Sequence, residues 1–148
     1  MKFEFMVLFS IIVLGAFALQ SYLAFKQIKH FSKEYEKMRR EGKVAIGKCP
    51  GKIQSGTIIL FALDDFGRIR YGKKMQGTTV LAKFRDFNKF NGRKISEITL
   101  EDSEMKNELK ITRKAVMNAV ENYNAFMSGK SISEKKTPFG QLYDKLVH

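Results

Sequence analysis

The chain has 148 residues and a net charge of +12, with 27 Lys and Arg against 15 Asp and Glu. That length leaves room for one small domain and excludes a multidomain enzyme. The single cysteine, Cys49, excludes an intramolecular disulfide and suits a reducing compartment. The positive excess attracts anionic lipid, nucleic acid or acidic protein without choosing among them.

Residues 5–25 read FMVLFSIIVLGAFALQSYLAF, 21 residues without a charge. As a helix rising 1.5 Å per residue this run is about 30 Å long, the thickness of a bilayer's hydrocarbon core, and a helix satisfies its own backbone there. Ser10, Gln20, Ser21 and Tyr22 are too few to give it the polar face of a soluble core helix. Lys26, Lys29, Lys33, Lys37, Arg39, Arg40 and Lys43 follow the run, whereas only Lys2, offset by Glu4, precedes it. The Lys/Arg bias predicts a single-pass anchor in the cytoplasmic membrane, with a short N-terminus outside and the rest of the chain cytoplasmic. Ala16-Phe17-Ala18 also matches a signal-peptide cleavage site, so an exported basic protein is an alternative. The continuation of the apolar run to Phe25 favours the uncleaved anchor.

Residues 26–42 form a basic amphipathic juxtamembrane helix. Phe25, Ile28, Phe31, Tyr35 and Met38 recur every three or four residues and share one face, and Gly42 is a suitable terminator. Lys26, Lys29, Lys33, Lys37, Arg39 and Arg40 on the remaining faces are candidate contacts for anionic membrane lipid. The apolar stripe can instead pack on the protein's own sheet. Glu34, Glu36 and Glu41 dilute the charge and favour that packing, and the two readings are compatible.

Residues 43–100 read as a small, mostly antiparallel sheet. Residues 43–48 (KVAIGK) are a short strand broken by Cys49-Pro50-Gly51, and 52–54 are a second extended piece. Residues 57–63 (TIILFAL) are apolar on both faces, which predicts a central strand covered on both sides. Asp64-Asp65-Phe66-Gly67 is a turn into the alternating return strand 68–71 (RIRY), with 72–77 as loop or a bulged continuation. Residues 78–84 (TTVLAKF) are a third strand, and 94–99 extend again after an aromatic-rich turn.

Residues 101–148 form a C-terminal helical extension. Thr99 and Asp102 resemble a capping pair, with Ser103 a further cap. From there to Ser128 the apolar spacing of Met105, Leu109, Thr112, Val116, Val120, Tyr123 and Met127 predicts one long helix with acids at its start. A linker over 130–137 and a short helix over 138–147 complete the chain.

Catalytic and metal chemistry find little support. His30 and His148 lie far from each other and from Cys49, too sparse a set for a metal site or a nucleophile–base pair. Adjacent Asp64 and Asp65 are turn formers before they are a carboxylate pair. Asp65-Phe66-Gly67 matches a kinase tripeptide, but the Gly-rich loop, the strand lysine and the catalytic loop are missing. No dinucleotide or phosphate-binding glycine motif occurs. The expectation is a protein without enzymatic activity and without a cofactor. Lys106, Lys110, Arg113 and Lys114 could meet phosphates, so nucleic acid is a possible partner, though no recognisable DNA-binding module accompanies them.

A family resemblance rests on an ordered set of residues between 27 and 85. Gln27-Ile28 and Phe31 are followed by Gly42, Val44, Gly47 and Gly51. Ala62-Leu63-Asp64-Asp65 then leads to Arg68-Ile69, and Met75, Gly77, Thr79-Val80 and Ala82 close the series. With these features the chain resembles the glucitol (sorbitol) operon activator family, GutM. The resemblance implies a positive regulator of transcription for a sugar phosphotransferase operon and assigns no active site. Combined with the apolar run, it implies a membrane-anchored accessory regulator that binds a partner protein, a transcription factor or a phosphotransferase component, at the cytoplasmic face. A basic DNA-binding activator is the alternative. The stretch from Glu101 onward departs from the pattern. The fold expected is α+β: a transmembrane helix continuing into a juxtamembrane helix, a small sheet, and a long C-terminal amphipathic helix.

Overall fold

A computed structural model describes residues 1–51, 56–77 and 82–130. Helix α1 (Lys2–Glu41) is followed by β1 (Lys43–Cys49), β2 (Gly56–Leu63), β3 (Ile69–Gly77), β4 (Phe84–Asp86) and helix α2 (Lys110–Met127). The four strands form one antiparallel sheet in sequence order. The α+β class and the order helix, sheet, helix are as expected.

β2 is covered on both sides, as its apolar composition predicts. Alternate residues of a strand point to opposite faces. Ile59, Phe61 and Leu63 join Ile69, Phe87, Phe90, Ile95, Ile98 and Met105 beneath Ala115, Val116, Ala119 and Val120 of α2. Leu60 and Ala62 face the other way, onto Met38 of α1 with Phe31 and Tyr35 beside it. The apolar stripe of α1 therefore packs on the sheet over its last three turns. Phe25 and Ile28, earlier on the predicted stripe, stay exposed; at that level it is Gln27, the next position around the helix, that faces Met75 of β3.

α1 is unbroken over 40 residues, about 60 Å. Its apolar part is long enough to cross a membrane and none of that part is buried within the domain, so it is not the core helix of a globular fold. Gly42 terminates the helix as expected, with its N–H bonded to the Arg39 carbonyl.

Several elements differ from the sequence reading. Residues 72–77 continue β3 without a break, and the irregularity lies before them, where Ala62 and Leu63 pair with Tyr71 and Ile69. Residues 94–99 are not a strand. Lys94 makes one bridge to Arg68 and a 3₁₀ turn follows at Ile95–Glu97. Ile95 and Ile98 are both buried, and their spacing of three suits a turn facing the core better than an alternating strand. The C-terminal helix begins at Lys110, not near Ser103. A 3₁₀ turn at Ser103–Met105 buries Met105, and Leu109 is extended (ψ 146°) before the helix starts. The acids expected to lead the helix are used elsewhere. Asp102 and Glu104 bind Arg93 at 3.0 and 2.9 Å, and Glu108 turns inward to Lys74 and Lys89. α2 consequently has no acid in its first turn and no side-chain cap. The Thr99–Asp102 pair does form: the carboxylate accepts from Thr99 N and Oγ1 at 3.0 and 3.1 Å, but it closes the turn before Ser103. The strand expected at 78–84 falls mainly on residues 78–81, outside the described residues, and pairing with β3 is made by Phe84–Asp86. The extended piece at 52–54, the linker from 131 and the helix over 138–147 also lie outside the described residues.

Candidate functional site

The ordered motif that marks the family divides between structural roles and one exposed tip. Asp64 closes the β2–β3 turn: its Oδ1 accepts from Phe66 N at 2.9 Å and Arg68 N at 2.8 Å, and its carbonyl accepts from Gly67 N. Such a short acid bonded to the backbone two residues on is the chemistry that makes Asp a turn former. Gly67 has φ +75°, and a Cβ there would meet the Tyr123 hydroxyl of α2 at 2.5 Å, so both backbone and packing require glycine. Its carbonyl accepts from Ile95 N, while Arg68 Nη1 donates to the Gly92 carbonyl at 3.3 Å. Leu63 and Ile69 are buried at the two feet of the turn. The hairpin is thus held from beneath and from its flank. What it presents outward is Asp65 and the Phe66 ring, 79% exposed.

The other motif residues are elsewhere. Gly47 lies in β1 directly under α2, where a Cβ would collide with the Ala115 carbonyl and come within 2.7 Å of Ala119 N. Gly51 and Gly77 lie at the opposite end of the sheet from the hairpin. Thr79 and Val80 are outside the described residues. Among the described residues the motif falls in two groups at opposite ends of the sheet, the second being Gln27, Met75, Gly77 and Ala82 around one cavity. Leu63, Asp64, Asp65, Arg68 and Ile69 are together, and Gly47 serves the packing of α2.

A surface that sequence reasoning missed adjoins the hairpin. Tyr123 packs under Gly67, and three and four residues further along α2 Phe126 and Met127 are largely exposed. Exposed large apolar residues gathered at one end of a domain mark an interaction surface more often than scattered ones do. Phe126 stands off the inward spacing of α2, which was the available signal, whereas Met127 keeps that spacing and is exposed nonetheless. The exposure itself depends on where β2 and β3 end.

The six cations proposed for lipid all project from α1 into solvent. They do not sit at one depth. From Lys26 to Arg40 an unbroken helix advances about 21 Å. Arg40 is also engaged with Glu36 at 2.6 Å. Facing this part of α1, Tyr71 donates to Glu41 Oε2 at 2.7 Å, and Arg70 Nη1 donates to the Glu41 carbonyl at 3.2 Å. Burial, reinforced by the Glu41 carboxylate, pushes the Tyr71 phenol up to about 12. A groove between α1 and the β3–β4 edge, lined by Glu34, Lys37, Tyr71, Lys73 and Asp86, holds mixed charges, with Lys73 and Asp86 paired at 2.7 Å. That pairing lowers the Asp86 carboxyl.

The remaining titratable groups are also structural. Burial by itself raises the Glu108 carboxyl, but Lys89 and Lys74 outweigh it and hold it below its ordinary value. Lys74 Nζ also stands 4.9 Å from the centre of the Phe87 ring. The Thr99 N–H holds Asp102 low, and Arg93 assists. Among the described residues no group of three His, Cys, Asp or Glu could hold a metal ion. His30 packs near Phe84 with its Nε2 buried and unpartnered, remote from any nucleophile.

A family model described as glucitol operon activator protein (GutM) matches residues 8–116. The glucitol operon activator protein of Escherichia coli (strain K12) is 32% identical over 57 residues, covering 38% of this chain and 48% of that protein. The chain thus spans about half the length of this curated relative. No solved structure matches the chain. The matched stretch runs from within the apolar part of α1, through the sheet, into α2, and takes in Ala115 and Val116 of the core.

Proposed function

The chain belongs to the glucitol operon activator (GutM) family, and from that premise we propose that it is a membrane-anchored accessory regulator of a sugar phosphotransferase operon. Residues 5–25 cross the cytoplasmic membrane, and the domain from Lys26 onward lies in the cytoplasm. There it binds a protein partner, a transcription factor or a phosphotransferase component. The observation that carries this reading is the continuity of α1. One helix leads from an apolar stretch with no buried surface straight into the packed stripe of Phe31, Tyr35 and Met38.

The hairpin end of the domain points away from the apolar stretch, because α1 meets the sheet near Met75 at Gln27 and ends at Glu41 beside Tyr71. Phe66, Phe126 and Met127 therefore face the cytoplasm, and we assign the partner contact to them. Aromatic and Met side chains are enriched at protein interfaces, and the aromatic rings bury area with little loss of conformational freedom.

The test is complementation of a deletion strain carrying a glucitol-operon reporter, combined with detergent extraction and affinity capture. The full chain should restore induction and retain a regulator or transporter subunit. Phe66→Ala with Phe126→Ala should lose both while the protein still accumulates in the membrane fraction. Normal induction by that double variant would remove the partner assignment. A C-terminal reporter active only outside the membrane would overturn the topology.

A further inference from the structure

The start of α2 stands at the same end of the domain as the end of the apolar run. Asn122 Nδ2 donates to the Ile46 carbonyl at 2.9 Å, and Asn118 Oδ1 accepts from Lys48 N at 2.9 Å, so α2 runs antiparallel to β1. Ala115 and Ala119 lie over Gly47. From that level Cys49 is about 7 Å further along the strand, and Lys110 about 8 Å further along the helix in the same direction. On the opposite face of the sheet, α1 reaches this end at Gln27, whose Nε2 lies 3.8 Å from Met75 Sδ, with Met75 paired to Ile58. Lys26 and Phe25, where the apolar run stops, are one and two residues beyond.

Leu109 is 62% exposed at this end. Lys106 and Lys110 flank it, and Lys26, Lys29 and Lys83 are exposed around the same end. Glu108, its neighbour in sequence, is withdrawn into the ion pairs with Lys74 and Lys89. An exposed apolar side chain between two lysines, with further lysines at the same end of the domain and the adjacent acid turned inward, is complementary to an anionic headgroup layer over an apolar interior.

We propose that this end of the domain is a second membrane contact: Leu109 enters the headgroup region of an anionic leaflet, and Lys106 and Lys110 join Lys26, Lys29 and Lys83 on lipid phosphates. The inference rests on residues 5–25 spanning the bilayer. It differs from a lipid contact along all of α1, since Arg39 and Arg40 are about 20 Å beyond Lys26, further than the screening length of about 8 Å at physiological salt. The domain is held by two points, on either side of its sheet, which fixes its orientation and keeps the hairpin end directed into the cytoplasm. Each lysine at such a surface strengthens attachment about fivefold.

The full chain with Cys49→Ser is reconstituted into phosphatidylcholine vesicles with or without phosphatidylglycerol. Single fluorophores are placed through Val13→Cys, Phe66→Cys or Asn107→Cys, and quenching by spin-labelled lipid is read. The expected result is strong quenching at 13 in both vesicles, none at 66, and loss of most emission at 107 only with phosphatidylglycerol. Lys106→Glu with Lys110→Glu should abolish quenching at 107 and leave 13 unchanged. An unquenched 107 with a quenched 13 overturns this contact alone, and a response of that label to added duplex DNA would assign the lysines to nucleic acid. An unquenched 13 overturns the anchoring reading and this inference with it.

Discussion

Single residues carry more of the fold's specificity than their size suggests, and Gly47 is the clearest case. The axis of α2 comes so close to β1 that the Ala115 carbonyl and Ala119 N occupy the space of a side chain at 47. Overpacking a close-packed interface costs about 1–3 kcal/mol. Gly47→Ala should lower stability by that amount, measured by denaturant unfolding in detergent, whereas Gly92→Ala adds a Cβ into open space and costs only what its positive φ demands. Gly47 was recognisable in sequence as a member of an ordered motif, but not as the seat of a helix 68 residues away. Asp64 differs: its turn-forming role was legible from the residue type, because an Asx turn is local chemistry. The Arg93 pairs with Asp102 and Glu104 were not legible, since nothing in the spacing shows that the chain folds back there.

At the scale of elements, α1 changes role along its length. Its last third is a wall of the core and its first part contacts nothing in the domain. Met38 is 1% exposed and Ile28 64% exposed on one stripe. Met38→Ala should cost about 2–5 kcal/mol. Ile28→Ala should leave domain stability within about 0.5 kcal/mol. Equal losses from the two would contradict the division of the predicted stripe into a buried Met38 and an exposed Ile28. Periodicity identified the stripe correctly but could not say where its partner stops. The same limitation moved the start of α2. An apolar spacing of three or four is shared by 3₁₀ turns and α-helices over a few residues, so Met105 could be counted as helical until the ion pairs of Asp102, Glu104 and Glu108 were seen to hold the chain in turns.

At the scale of the whole molecule, ion pairs and one phenol set a pH window. Glu108, Asp102, Glu104 and Asp86 have lowered carboxyls in the folded state. Their stabilisation is present above the ordinary carboxylate range and is lost as pH falls through the lowered values, because the unfolded chain then takes up protons first. Glu108→Gln removes the charge that both Lys74 and the part-exposed Lys89 pair with and should cost about 1 kcal/mol at neutral pH, solvent screening of Lys89 reducing the effect. That difference should shrink as pH falls, read by unfolding at two pH values. Tyr71 acts at the other end. Its phenol titrates at about 12, above the usual 10, so its contribution is full below 10 and fades as pH rises towards 12. Ultraviolet titration should show one late phenol that Tyr71→Phe removes.

The amino-acid sequence by itself determined the apolar helix, the central strand covered on both faces, the Asp64 turn and the family. Each rests on contacts between near neighbours or on composition, and each is readable without knowing what packs on what. Only the tertiary structure decided that the described residues of the family motif divide among a turn, a packing site under α2 and a cavity at the other end of the sheet. It also decided that α1 joins the core only from its later turns, and that the start of α2 returns to the end where the apolar run stops. Those outcomes depend on strand register and on helix direction over the sheet, which are set by pairings across tens of residues.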